Sequence, residues 1–149
     1  MSPNLHATRA LLDVNVLIAL LDASHVSHQT AMAWFTDNAR LGWASCPTTQ
    51  NGGLRIMSST SYPNPKPIAS VAERLGEATA AAVHEFWPDD VSILNDTRID
   101  LTRVHGARQL TDVYLLALAM LHRGRLVTFD RSIPLRAVVG ASPEHLVVL

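Results

Sequence analysis

Short apolar runs, two of them ending on an aspartate, are separated by longer stretches of helical spacing, and this alternation constrains the chain most. Ala10-Leu11-Leu12 leads directly into Asp13, and Arg125-Leu126-Val127-Thr128-Phe129 leads into Asp130. Gly42-Trp43-Ala44-Ser45-Cys46, stopped by Pro47, reads as another strand, as do Val91-Ser92-Ile93-Leu94 and Leu146-Val147-Val148-Leu149. The runs lack polar–apolar alternation, as strands covered on both faces do. Between them lie helical patterns at 14–21, at 30–38 (Ala31, Trp34, Phe35), at 68–86 through Val71, Leu75, Ala78 and Val83, at 99–104, and at 111–122. Thr111 reads as the N-cap of the last helix, and Gly124 lies beyond its end. Strands separated by helices need crossover connections, which make the sheet parallel. The expected fold class is α/β, a three-layer α/β/α sandwich with a mainly parallel sheet.

The length, 149 residues, suits a single domain spanning 1–149. Such a chain buries about 68–70 % of its unfolded surface, enough for a core without staples. A hydrophobic content of 48 % excludes disorder and collagen-like repeats. Twelve Lys and Arg against 13 Asp and Glu leave a net charge of −1, which advertises neither nucleic acid nor membrane. A local basic rim is invisible in that total. Cys46 is the single cysteine, so there is no internal disulfide and no multi-cysteine zinc site, in keeping with a reducing cytoplasm. Met1 to His6 lacks the basic start of a signal peptide, and Val14 to Leu21, bracketed by Asp13 and Asp22, is too short to span a bilayer. A cytoplasmic protein with no membrane partner is expected.

Two segments are ambiguous or irregular. Pro47 suits the first turn of a helix. Gly52-Gly53 costs such a helix about 1 kcal/mol per glycine, so propensity alone favours a loop. Ser61 to Pro67, with Pro63, Pro65 and Pro67, reads as a loop.

Open parallel sheets place their working sites beyond the carboxyl ends of the strands. Asp13 and Asp130 fall there, and Asp112 lies in the first turn of the helix that feeds the strand ending at Asp130. Three carboxylates at one edge repel each other unless a cation sits among them. All-oxygen ligation without His or Cys suits Mg²⁺ or Mn²⁺. Singly, each has an ordinary role: Asp13 as a helix cap, Asp112 against the helix dipole, Asp130 in a turn. Their coincidence at one edge carries the argument.

Four ordered blocks also carry a resemblance. They are Leu11-Leu-Asp13-Val-Asn15-Val-Leu-Ile-Ala-Leu-Leu-Asp22, Cys46-Pro-Thr-Thr-Gln-Asn-Gly-Gly-Leu-Arg55, Thr111-Asp112-Val-Tyr-Leu-Leu-Ala-Leu-Ala119, and Thr128-Phe-Asp130-Arg131. In this order they resemble PIN-domain ribonucleases, and more narrowly the VapC toxins of bacterial toxin–antitoxin pairs. Phe86-Trp-Pro-Asp-Asp90 and Tyr62-Pro-Asn-Pro65 are similar to one VapC branch. The resemblance implies a PIN-like fold and a cytoplasmic homodimeric toxin that cuts RNA. It also implies a small VapB-type antitoxin that fills the acidic groove.

One position departs from the pattern: Gln50 stands where these toxins usually carry a glutamate. A carboxamide can hold a metal-bound water but brings no charge. Two unit charges at about 4 Å interact by about 4 kcal/mol at an effective dielectric near 20, so the loss is substantial. Binding of a second ion is what it affects most.

The resemblance implies one or two metal ions that polarise the scissile phosphate and activate water, giving 5′-phosphate and 3′-hydroxyl ends. Asp13 and Asp112 are the expected ligands. Asp130 is a third ligand or the acceptor that orients bound water. Gln50 orients water and cannot act as a base. Asn15 is placed to hydrogen-bond across the site. The RNA would be held through its phosphates by arginines, with Arg108 and Arg131, next to the motifs, favoured over Arg9 and Arg55. Aromatic residues make up only 5 % of the chain, which points away from base stacking and towards the shape of a tRNA or an rRNA stem-loop. The competing expectation is a catalytically weak homologue that binds antitoxin or RNA.

The remaining prominent residues read as structure. Trp34 and Trp43 serve as core or interface anchors and Trp87 packs a turn. His25 and His28 lack a third zinc ligand. Asp89 and Asp90 fall at the wrong edge of the sheet if they precede a strand at Val91. Cys46 reads as a buried thiol.

Overall fold

Helices connect the first four strands in turn and 3₁₀ turns lead from the fourth to the fifth, and the sheet is parallel throughout. The computed structural model describes residues 9–149, so the reading of Met1 to His6 lies outside it. β1 (Ala10–Leu12) is central, with β2 (Trp43–Ser45) and then β3 (His84–Phe86) on one side and β4 (Arg125–Thr128) and then β5 (Leu146–Val148) on the other. All four pairings are parallel, with Leu11 in register with Ala44 and Leu126. The helices are α1 (Val14–Leu21), α2 (His28–Asn38), α3 (Pro47–Met57), α4 (Ile68–Thr79) and α5 (Gln109–Leu121). Among the described residues no helix is long and apolar enough to cross a membrane.

The missing alternation has its cause in the two cores. Successive strand side chains face opposite sides. Ala10, Leu12, Trp43 and Val127 enter one core with Val16, Leu17, Met57, Val71 and Leu75 of α1, α3 and α4. Leu11, Ala44, Cys46 and Leu126 enter the other with Val113 and Leu115 to Ala119 of α5. Three layers result, and the three inner strands are covered on both faces. Leu11 and Leu126 are wholly buried, and truncating either to Ala costs roughly 2–5 kcal/mol.

Several local expectations are corrected. Val91 to Leu94 is not a strand: Val91 packs into the α5 core while Leu94 is 80 % exposed, which a strand covered on both faces forbids. The edge position beside β2 belongs to His84–Phe86, within what reads as the tail of an alanine-rich helix; that helix stops at Thr79. This edge strand is partly exposed and carries no apolar run to announce it. The helix starting at Gln109 places Arg108, not Thr111, at the cap position, while Asp112 stays in the first turn. Ile99 to Val104 forms only a three-residue 3₁₀ turn at Leu101–Arg103, with Ile99 bridged to Val138. Pro47 does open a helix, and that helix runs through Gly52 and Gly53.

Candidate active site

The carboxyl edge of the sheet gathers the predicted aspartates. Asp13 leaves β1 in an extended conformation and caps α1, its Oδ1 accepting from the Val14 N–H at 2.7 Å. Asp130 follows β4. α5 feeds β4 and runs against it, so its first turn, with Asp112, starts at the same edge.

Thr128, wholly buried, ties the first and last blocks together. Its hydroxyl donates to Asp13 Oδ2 at 2.7 Å and accepts from the Asp130 N–H at 3.0 Å. Asn15 closes the corner: Nδ2 donates to Thr128 Oγ1 at 3.4 Å, and Oδ1 accepts from the Phe129 N–H at 3.3 Å. Asp130 Oδ1 accepts from the N–H and hydroxyl of Ser132 at 2.8 and 2.7 Å.

The charges of the three aspartates act on one another. Burial raises the Asp13 carboxyl above its ordinary range, against the bonds from Thr128 and Val14, and the Asp130 charge adds to the rise. Burial, the Asp13 charge and a hydrogen bond with Asp130 push Asp112 up to about 7. Asp130 moves the other way, held low first by Ser132 and also by Asp112. One member of a carboxylate pair is thus raised while the other stays ionised. Among the described residues no three His, Cys, Asp or Glu side chains are drawn tightly enough to enclose a metal ion by themselves.

Gln50, in the first turns of α3, makes its side-chain hydrogen bond to Ser45 Oγ at 3.0 Å and none to the three aspartates. Arg108 and Arg131 are exposed beside Asp112 and Asp130 in sequence. Arg9 lies at the opposite edge, bonded to the Val83 and Trp43 carbonyls and paired with Glu85, which explains it as a structural tie. Asp89 and Asp90 follow β3 and so leave its carboxyl end, correcting the edge expected for them. They engage Thr48 at 2.7 Å and His122 at 2.9 Å rather than the aspartate cluster. His28 bonds the Ala19 carbonyl and His25 accepts from the Ser27 N–H, both local contacts. Cys46 is buried and burial pushes its thiol up to about 11, as expected of an inert core cysteine.

Sequence reasoning passed over Thr128, Ser132, Ser45 and His84. A threonine at the inner end of an otherwise apolar strand was the available signal for Thr128. The pairing of Ser45 with His84 needs the strand order, which no local pattern gives.

Comparison with known proteins agrees with this geometry. Residues 10–138 match the PIN domain family. The chain is 54 % identical over 141 residues to Ribonuclease VapC44 of Mycobacterium tuberculosis (strain ATCC 25618 / H37Rv), covering 95 % of this chain and 99 % of that protein. It is 43 % identical over 132 residues to Ribonuclease VapC39 of the same strain, covering 88 % and 95 %, and 43 % identical over 125 residues to Ribonuclease VapC38, covering 83 % and 86 %. With strand order, aspartate edge and whole-length similarity in agreement, the chain belongs to the PIN-domain family, on its VapC ribonuclease branch.

Proposed function

We infer that this chain is an endoribonuclease toxin that uses Mg²⁺ or Mn²⁺ to cut a structured RNA, a tRNA or an rRNA stem-loop, and is neutralised by a VapB-type antitoxin. The observation that supports it is the meeting of Asp13, Asp112 and Asp130 at one sheet edge, where Thr128 bonds both Asp13 and the Asp130 N–H. The donor set suits a hard cation, since all its atoms are oxygens. Mg²⁺ keeps several waters and takes one or two carboxylates plus phosphate oxygens rather than an all-protein cage. A group of carboxylates too open to enclose an ion alone is compatible with that habit.

In this reading Asp112 and Asp13 hold the ion, and Asp130, anchored by Ser132, is the further ligand or orients water. When bound, the ion supplies positive charge to the scissile phosphate and lowers the pKa of its water. Thr128 and Asn15 fix the Asp13 corner. Arg108 and Arg131 contact phosphates flanking the cut, fixing register without reading bases. The chain works as a homodimer.

The test is purified, antitoxin-free protein with total RNA and Mn²⁺. Discrete products bearing 5′-phosphates, absent with EDTA and with Asp13→Asn, are expected; RNA left intact at every metal concentration overturns the reading. Gln50, bonded to Ser45 and not to the acids, supports a second reading, a weak nuclease that serves as an antitoxin- or RNA-binding module. Cleavage that appears only in Gln50→Glu would favour it.

A further inference from the structure

Between the starts of α3 and α5 lies a concavity of about 220 Å³, lined by Thr48, Ile93, Leu110, Thr111 and Tyr114. Leu110 and Thr111 stand four and three residues before Tyr114 in α5, so the three share one helix face. Thr48 comes from the first turn of α3 and Ile93 from the segment after β3. Thr111 directly precedes Asp112 and Thr48 lies two residues before Gln50, so the concavity adjoins the edge that carries the aspartates. Thr48 Oγ1 donates to Asp89 Oδ2 at 2.7 Å, which holds a carboxylate at its rim.

Size and lining select the occupant. Sites for whole drug-sized ligands run to roughly 300–1,000 Å³, so this one suits a single ring system. Apolar walls from Ile93 and Leu110, one aromatic ring and two hydroxyls are the surroundings in which an unstacked nucleobase is held. A phosphate is disfavoured, because the Asp89 charge repels it and none of the lining residues is cationic. The same charge favours a base with an exocyclic amino group, since a carboxylate accepts from the cytosine amine. Uracil flanks its one ring donor with two carbonyl oxygens, which the carboxylate repels. A chain poor in aromatic residues needs only one of them here.

We propose that this concavity is a base-binding subsite for the RNA. It takes one unpaired nucleobase near the cut, with Tyr114 packing on the ring and Asp89 selecting an amino-bearing base over uracil. The inference rests on the reading of the chain as a ribonuclease. Phosphate contacts from Arg108 and Arg131 fix register without reading bases, and Tyr114 and Asp89 supply the selectivity those contacts lack. They set which base is taken, and neither holds the ion.

The experiment compares the binding of labelled single-stranded oligo(C) and oligo(U) of equal length to the whole chain in EDTA, by fluorescence anisotropy. The two carry the same phosphates, so a difference between them reports on the bases. Oligo(C) is expected to bind roughly fivefold or more tightly than oligo(U). Asp89→Asn, at an exposed position, should erase that preference. Tyr114→Ala should weaken oligo(C) roughly tenfold, and Tyr114→Phe, which keeps the ring, should not. Equal affinities in the unsubstituted protein overturn the proposal and leave the concavity to a side chain of a partner polypeptide. Tighter binding of both oligomers by Asp89→Asn at an unchanged ratio would place a phosphate there and overturn it too. The first comparison needs no variant to fold, and Asp89→Asn decides if Tyr114→Ala does not fold. Cleavage of total RNA with Mn²⁺ on the same samples separates the two readings. Preference for oligo(C) while RNA stays intact removes the nuclease and leaves the subsite, whereas cleavage with the two oligomers bound alike removes the subsite alone.

Discussion

Asp112, in the first turn of α5, and Asp130, just past β4, meet at the carboxyl edge and their acidities split, Asp112 raised to about 7 and Asp130 held low. Like charges brought together at a half-buried edge favour the protonated form of one of them. Asp130 has Ser132 to support its charge and Asp112 has no such donor among the described residues, so the rise falls on Asp112. The pair titrates as a unit, and Asp13 adds a third negative charge beside it.

That asymmetry makes stability fall as pH rises. Asp112 binds its proton more tightly in the fold than in the unfolded chain, where the ordinary value is 3.8. Below that pH both states are protonated and nothing is lost. From there up to about 7 the unfolded chain ionises first, and folding loses stability progressively. Asp130, held low, contributes in the opposite sense and loses its contribution as pH drops. Asp112→Asn removes the first effect. After discounting for solvent screening at this half-buried site, the variant should gain about 1–2 kcal/mol over the parent between acid and neutral pH in EDTA. Urea unfolding at several pH values checks this; parallel curves would contradict it.

A divalent cation should reverse the loss. If Mn²⁺ binds only the folded chain, a hundredfold excess over its dissociation constant stabilises by about 2.7 kcal/mol. Thermal unfolding at neutral pH is expected to shift upward with Mn²⁺ in the parent protein. Little shift is expected in Asp13→Asn or Asp112→Asn, where one negative charge is gone. Equal shifts in all three would show that the ion binds elsewhere.

The site was legible from sequence where chemistry and element ends coincide. Asp13 and Asp130 sit where an apolar run stops, and Asp112 sits where a helix begins, so local pattern located all three. Thr128 was hidden because a strand threonine is ordinary, and its importance arises only when β1 and β4 become neighbours. β3 was hidden for a related reason. His84-Glu85-Phe86 is partly exposed and takes its strand conformation from pairing with β2, whereas Val91 to Leu94 has strand propensity but pairs with no strand, Val91 packing into the α5 core instead.

Thr128 should therefore be intolerant of its closest apolar analogue. Thr128→Val keeps the volume and strand propensity but removes the donor to Asp13 and the acceptor for Asp130 N–H and Asn15. Leaving these buried groups unmatched costs about 1–3 kcal/mol. Thr128→Ser keeps the hydroxyl and should retain most of the stability. Chemical denaturation distinguishes them, and a Val variant as stable as the Ser variant would contradict the hub role.

The two glycines of α3 should respond in opposite directions to alanine. Both are helical, so relief of glycine's backbone entropy favours alanine by up to about 1 kcal/mol at either place. At Gly53 the added Cβ meets only Leu17 Cδ2 at 3.6 Å, an ordinary contact, and Gly53→Ala should stabilise. At Gly52 it meets Val14 Cγ2 at 2.8 Å. Val14 is β-branched and opens α1, so its side chain has few rotamers into which to retreat. Overpacking of this kind costs roughly 1–3 kcal/mol, which exceeds the helix gain. Relief by backbone movement would push the middle of α3 away from Val14 and carry Gln50 with it, so Gly52→Ala should lose stability and RNA cleavage together. Paired melting curves and cleavage rates for the two variants decide the matter, and a stabilised, fully active Gly52→Ala would mean that the α1–α3 contact does not set the geometry of this edge.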